Sequence, residues 1–372
     1  MQRILATCWD RGPANNVGPV VKALRDMDIH VDLFAGGPAK TALEHSAIEY
    51  QPYLAAEDTV SSCGRPAILY AGMDSNIRLP GFEVAKELEA QGVDCPFAFQ
   101  GDFWGEGLYW RDKWAQLVPT RFFGNDQRDV ELSRITFPLM DPVNALPLGW
   151  PWIDAYSDYS QIDTRARSLR QKLAIPEKMP VVFFAGQLDR TGEVIASLVR
   201  AIIAINRPVC LLSRMHPVML LEYDQEGKWS AEYARYNAAV DEFTRWGKGN
   251  YVLCNDPYDV KDCIALATVV TGAFSTILIE AGIWRRQVIA ILYPEVGMAE
   301  WLRTDGEAMP EFPLVELGCA AKATSDSELR GLLGEAYVGN LHERLRPNQE
   351  RHLMASGDNA QKIAENIISL IR

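Results

Sequence analysis

The chain has 372 residues, 48% of them hydrophobic, and a formal net charge of −12. That length exceeds what one hydrophobic core usually supports, so two domains are expected. The acidic balance excludes a nucleic-acid backbone as the main partner, because no broad basic excess stands ready to replace its counterions; only a local patch such as Arg285 and Arg286 stays open.

The opening "RILATCW" is a short apolar run and reads as a strand. It leads into "DRGPANNVG", expected to be a loop, and then a helix "PVVKALRDMD" entered at Pro19, where a missing N–H costs little. "IHVDLFAGG" and "AILYAG" read as strands, "FEVAKELEAQG" as a helix closed by its glycine, and "PFAFQG" as another strand. Strand and helix alternating without hairpin turns imply a parallel sheet buried on both faces. Residues 1–150 are therefore expected to form a Rossmann-like α/β domain.

Between Pro138 and Trp152 the stretch "PLMDPVNALPLGWPWID" shows neither period and is expected to be the inter-domain connection. The alternation then restarts over residues 151–354. "SLRQKLAI" reads as helix, "MPVVFFAG" as strand, "EVIASLVRAIIAI" as helix, and "PVCLLSRMHP" and "YVLCND" as strands. "DVKDCIALA" is a helix between them and the strands "TVVTG" and "QVIAILYP". The polar stretch from Leu220 to Gly249 reads as a surface helix docking Tyr233, Tyr236 and Phe243, with an aromatic ligand platform as the alternative. Residues 355–372, "SGDNAQKIAENIISLIR" from its serine on, form an amphipathic terminal helix. The fold class is thus α/β, two Rossmann-like domains facing each other across a cleft.

The seven cysteines form no C-x-x-C pair, and several lie in apolar runs such as "RPVCLL". They read as reduced and packed. The N-terminus lacks a signal pattern and no window reaches the roughly twenty apolar residues of a membrane span, so the protein is expected to be cytoplasmic. Peripheral contact with a membrane is left open.

In open parallel sheets, ligands bind beyond the carboxyl ends of the strands. His216 in "RMHPVM" follows one such end, and Ser275 and Thr276 in "TGAFSTILIEAG" follow another. A helix N-terminus with small hydroxyls and Gly272 just upstream is an anion site, phosphate being the commonest anion. Ser275 or Thr276 alone would be an ordinary N-cap. Glu280, one turn on, either sits on the helix surface or accepts hydrogen bonds from ribose hydroxyls. In "FFAGQLDRTGE", Gly186 and Gly192 flank a polar stretch, as suits a backbone that approaches a phosphate closely.

With "RMHP" and the element "LATVVTGAFSTILIEAGIWRRQVIAI", the chain resembles the GT-B fold glycosyltransferases. Within them it is most similar to the branch holding bacterial sialyltransferases, Kdo transferases and CDP-glycerol glycerophosphotransferases. The resemblance implies that His216, Ser275 and Thr276 contact the phosphate of a nucleotide-sugar donor. It also implies that the terminal "GDNAQKIAENIISLI" helix crosses back onto the first domain. "GAFST" lacks the "DSGG" pattern of the UDP-N-acetylglucosamine 2-epimerases that share the fold. No clear copy of the acidic motif of sialyltransferases is present.

An inverting transfer needs a base for the acceptor's proton. Asp102 in "FQGDFWGEG" follows a strand beside Phe103 and Trp104, which can desolvate it, and Trp104 can offer a flat face to a sugar. The alternative is that Asp102 caps the next segment and the aromatics pack in the core. Asp10 and Asp74, each after another strand, are rivals. His30, His45, His342 and His352 stand in surface-like contexts. No histidine cluster calls for a metal, and no cofactor is expected beyond the nucleotide sugar itself. The expected activity is a metal-independent glycosyltransferase using a glycan or glycolipid acceptor in cell-surface polysaccharide synthesis. A sugar-nucleotide epimerase is the enzyme alternative, and a two-lobed solute-binding protein the non-enzyme one.

Overall fold

The computed structural model describes residues 3–74, 78–187, 190–216, 219, 230–255, 257–294, 311–353 and 355–371, except the side chains at 106 and 109. The chain divides into two compact units, Met1–Ala155 with Ser356–Arg372, and Tyr156–Ala355.

The first unit holds a seven-stranded sheet. Its strands are β1 (Arg3–Cys8), β2 (His30–Ala35), β3 (Gln51–Pro52), β4 (Ile68–Gly72), β5 (Phe97–Gln100), β6 (Arg121–Gly124) and β7 (Ala145–Pro147). They are ordered β3-β2-β1-β4-β5-β6-β7, and every recorded pairing is parallel. Side chains alternate across a strand. Ile4, Ala6 and Cys8 accordingly join a core with the helices Arg11–Asp26 and Asn359–Leu370, while Leu5 joins the opposite one with the helix Pro80–Ala90. The terminal helix is anchored by Asn359, which donates to the Trp150 carbonyl at 3.1 Å, and by the Ala360 N–H, which donates to Asp154 at 2.9 Å. Gly149 takes φ +90° where a Cβ would come within 2.7 Å of Asn359, so only glycine suits this turn.

Two sequence expectations change here. The first helix begins at Arg11 rather than Pro19, with Pro19 inside it. Burial of Ala14, Asn16 and Val17 against the sheet outweighs the lost hydrogen bond. The stretch expected to be only a connection contains β7, which pairs Ala145 with Phe122 and Pro147 with Gly124. Three residues are too few to display a period, and Pro147 is tolerated because β7 is an edge strand.

The second unit holds β8 (Val181–Ala185), β9 (Val209–Arg214), β10 (Gly249–Leu253), β11 (Val269–Gly272), β12 (Gln287–Ile291) and β13 (Ala321–Ala323). Their order is β10-β9-β8-β11-β12-β13, again parallel throughout. The helix Thr191–Ile205 packs against Ser230–Trp246, whose Tyr236 and Phe243 are buried and Tyr233 half-buried. Residues 220–229 of the expected surface helix lie outside the described residues. β13 and the helices Asp326–Val338 and Asn340–His352 carry no element in the sequence reading. All seven cysteines are free thiols, and among the described residues no helix is long and apolar enough to cross a membrane.

Candidate functional site

Each sheet reverses its strand order once, between β1 and β4 in the first unit and between β8 and β11 in the second. Such switch points open a crevice at the carboxyl ends of the strands.

In the second unit the β8 and β11 loops flank that crevice and are tied together, the Gln187 side-chain carbonyl accepting the Phe274 N–H at 2.9 Å. Ser275 is the N-cap of the helix Thr276–Ile283, its hydroxyl accepting the Ile277 N–H at 3.3 Å. Ser275 is half-buried and Thr276 exposed.

His216 follows β9 and is half-buried. Its loop is fixed by a reciprocal pair, Met215 N–H to Asn255 Oδ1 and Asn255 Nδ2 to the Met215 carbonyl, both 3.0 Å. Arg214 adds bonds to the carbonyls of Cys254 and Tyr258 at 2.9 and 3.0 Å. Because β8 lies between β9 and β11, the loops of His216 and Ser275 stand on next-nearest strands, about 10 Å apart by strand spacing. Pro217 and Val218 of "RMHPVM" lie outside the described residues, as do Leu188 and Asp189.

The glycines have protein as their close neighbours. A Cβ at Gly186 would lie 2.7 Å from the Arg214 carbonyl oxygen, and one at Gly272 2.7 Å from that of Ala185. Both positions are held to glycine by adjoining strand ends. Gly192 is corrected more sharply: its N–H donates to the Glu232 carboxylate at 2.9 Å, and a Cβ there would lie 2.6 Å from that of Arg235. It serves a close helix–helix approach, and a protein carboxylate already occupies that helix N-terminus.

Glu280 is buried rather than on the helix surface, and its carboxylate accepts the Tyr156 hydroxyl. Burial pushes its pKa up to about 7, against the opposing Tyr156 hydrogen bond and the charges of Lys261 and Arg214. Lys261 lies 4.8 Å from the Tyr156 ring centroid, its own pKa lowered chiefly by burial. Arg214 therefore brings the His216 loop and Glu280 into one electrostatic neighbourhood.

In the first unit Asp102 is 8% exposed. Its Oδ1 accepts Asn16 Nδ2 at 3.1 Å, and its main-chain carbonyl accepts Trp150 Nε1 at 2.7 Å. A Cβ on Gly12 would lie 1.8 Å from its Oδ2, so the carboxylate rests on the first turn of the Arg11–Asp26 helix, where backbone amides favour negative charge.

Asp74 is fully buried. Its Oδ1 accepts the N–H groups of Trp9 and Asp10 at 2.9 and 2.7 Å, and its Oδ2 has no partner. Burial first, then the charge of Asp10, raises its pKa well above the ordinary carboxylate value. This corrects the expectation of Asp74 as a rival base or acceptor contact: it staples the end of β1 to the end of β4. Asp10 is the half-buried N-cap of the Arg11–Asp26 helix. Trp104 is corrected too. It is 0% exposed, packed 5.0 Å from the Trp150 ring, and its Nε1 donates to Asp126 at 2.8 Å, so no face is open to a sugar.

Sequence reasoning missed Asn16, Gln187, Asn255, Tyr156 and Lys261. It also missed Asp129, which accepts the Asn125 N–H at 3.0 Å and has its pKa pushed to about 7 by burial. The first five act through partners distant in sequence, so no local pattern marked them; Asp129 bonds within its own turn, and its burial shows only in the fold.

No family model and no curated protein sequence matches the chain. Solved structures do. A glycosyltransferase from Rickettsia africae superposes with a TM-score of 0.66 at 11% identity, over 100% of this chain and 99% of that one. The UDP-GlcNAc 2-epimerase of Neisseria meningitidis, solved with UDP-GlcNAc, gives 0.67 at 11% over 99% and 100%. The wall teichoic acid polymerase TagF, soaked with CDPG, gives 0.58 at 12% over 99% and 88%. With identities this low the likeness speaks for architecture: the chain is built of two Rossmann-like domains of the GT-B fold.

Proposed function

We propose that the chain is a glycosyltransferase that takes a sugar from a nucleotide-activated donor and passes it to a glycan or glycolipid, in the cytoplasm and in the service of cell-surface polysaccharide synthesis. The observation that carries this reading is the β8/β11 switch point, where the Ser275–Thr276 helix start, the Gln187–Phe274 tie and the His216 loop stand at the carboxyl end of one sheet. Helix amides, the two hydroxyls and His216 take the donor phosphate. Glu280, on the same helix, accepts from the ribose hydroxyls. Asp102 receives the acceptor's proton in an inverting displacement that calls for no metal, and Asp10 is the alternative base. The resemblance of "RMHP" and "GAFST" to the sialyltransferase, Kdo transferase and glycerophosphotransferase branch supports a transferase.

A sugar-nucleotide epimerase is the second reading, favoured by a likeness to the Neisseria epimerase as strong as that to the Rickettsia transferase. Nucleotide release from sugar nucleotides, followed with and without glycan acceptors, separates the two. A transferase turns over efficiently only with acceptor; an epimerase converts the donor alone. A thermal-shift panel of CMP, CDP, UDP, GDP and ADP precedes it, since a ligand of the folded state raises the melting temperature. Stabilisation by none of the five would overturn both readings.

A further inference from the structure

At the end of the second sheet opposite to His216 and Ser275, Pro180, Pro208 and Thr268 stand just before β8, β9 and β11 and help line a cavity of about 620 Å³. Small-molecule pockets span roughly 300–1,000 Å³. Arg170, Lys178 and Arg207 line it against a single carboxylate, Glu177, an excess of two positive charges in a chain whose net charge is −12. Arg170 is held in place by bonds from its Nη1 to the carbonyls of Pro176 and Met179 at 2.7 and 3.2 Å. Among the described residues none of the three cations is paired with a carboxylate.

Tyr337 also lines the cavity, and its hydroxyl is buried without a hydrogen-bond partner. Burial raises its pKa and the charge of Arg207 opposes the rise, which places the guanidinium near the phenol. A buried hydroxyl left unpaired costs stability, so a ligand atom that pairs with it gains affinity. Guanidinium groups present forked N–H donors that match phosphate oxygens. The prolines and Met179 supply apolar wall.

We propose that this cavity is a second anion site, distinct from the nucleotide site, for a small phosphorylated metabolite. Its cations hold the phosphate and its apolar wall holds the body of the molecule. The proposal stands independently of which sugar-nucleotide reaction the chain performs.

The test is calorimetry of inorganic pyrophosphate on the full chain at low salt, comparing wild type, Arg207→Glu, Tyr337→Phe, His216→Ala and Arg330→Glu. Arg330 is exposed and lies outside the cavity lining, so its reversal changes net charge equally. Expected is pyrophosphate binding that weakens at least tenfold in Arg207→Glu, several-fold in Tyr337→Phe, and persists in His216→Ala and Arg330→Glu. Should Arg207→Glu lose its fold, Arg207→Gln gives the same comparison with a smaller loss. Binding abolished by His216→Ala and kept in Arg207→Glu would assign all of it to the nucleotide site and overturn the proposal. So would equal weakening by Arg330→Glu, or no binding to wild type.

Discussion

Tyr156, the first residue of the second unit, donates its hydroxyl to the carboxylate of Glu280, 124 positions along the chain. The same tyrosine's carbonyl accepts Trp284 Nε1 at 3.0 Å, so the middle and the C-cap of the Thr276–Ile283 helix both hold it. The Glu280 pKa stands at about 7 against an ordinary 4.5, and a raised carboxylate favours the folded state most when protonated. That stability is fully present below about pH 4.5 and is lost as pH rises through 7, by up to about 3 kcal/mol. Glu280→Gln removes the titration. Urea unfolding should show the variant gaining on wild type by about 1–3 kcal/mol between pH 5 and pH 8. A difference that stays flat with pH would mean that Glu280 does not titrate there.

His216→Ala should weaken nucleotide binding by about 1.5–3 kcal/mol if the imidazole gives the donor phosphate a charge-assisted hydrogen bond. The reciprocal Met215–Asn255 bonds hold the loop through its backbone, so the variant should keep its fold. Calorimetry on the folded variant decides, and unchanged affinity removes His216 from the phosphate.

Asp102→Asn keeps an oxygen for Asn16 Nδ2 while removing the carboxylate's proton affinity. Turnover with acceptor should fall by about 10²–10⁴ with nucleotide affinity nearly constant, because a general base acts in the transition state. Full turnover in the variant would pass the role to Asp10.

Gly12→Ala would drive a methyl to within 1.8 Å of the Asp102 carboxylate. Destabilisation of about 1–3 kcal/mol is expected, as for overpacking. Gly331 lies inside the helix Asp326–Val338 with nothing within 4 Å of a Cβ. Gly331→Ala should instead stabilise by about 0.5–1 kcal/mol through helix propensity. Thermal melts of the two variants should move in opposite directions, and a stable Gly12→Ala protein would show that the carboxylate can step aside.

The sequence by itself determined the α/β alternation and a helix cap at Ser275 or Thr276, because these follow from signals within a few residues; the structure chose Ser275. β8 and β11 read as continuous apolar runs since both faces of a parallel strand are buried. A serine before an apolar helical stretch satisfies that helix's own N–H groups. What Asp74, Trp104, Gly192 and Glu280 do was decided by tertiary structure alone. A carboxylate is a base, a staple or a buried acceptor according to what covers it, and its cover comes from segments tens to more than a hundred positions away. The seventh strand was hidden for a related reason: three residues have no period of their own, and β7 exists because β6 offers it an edge.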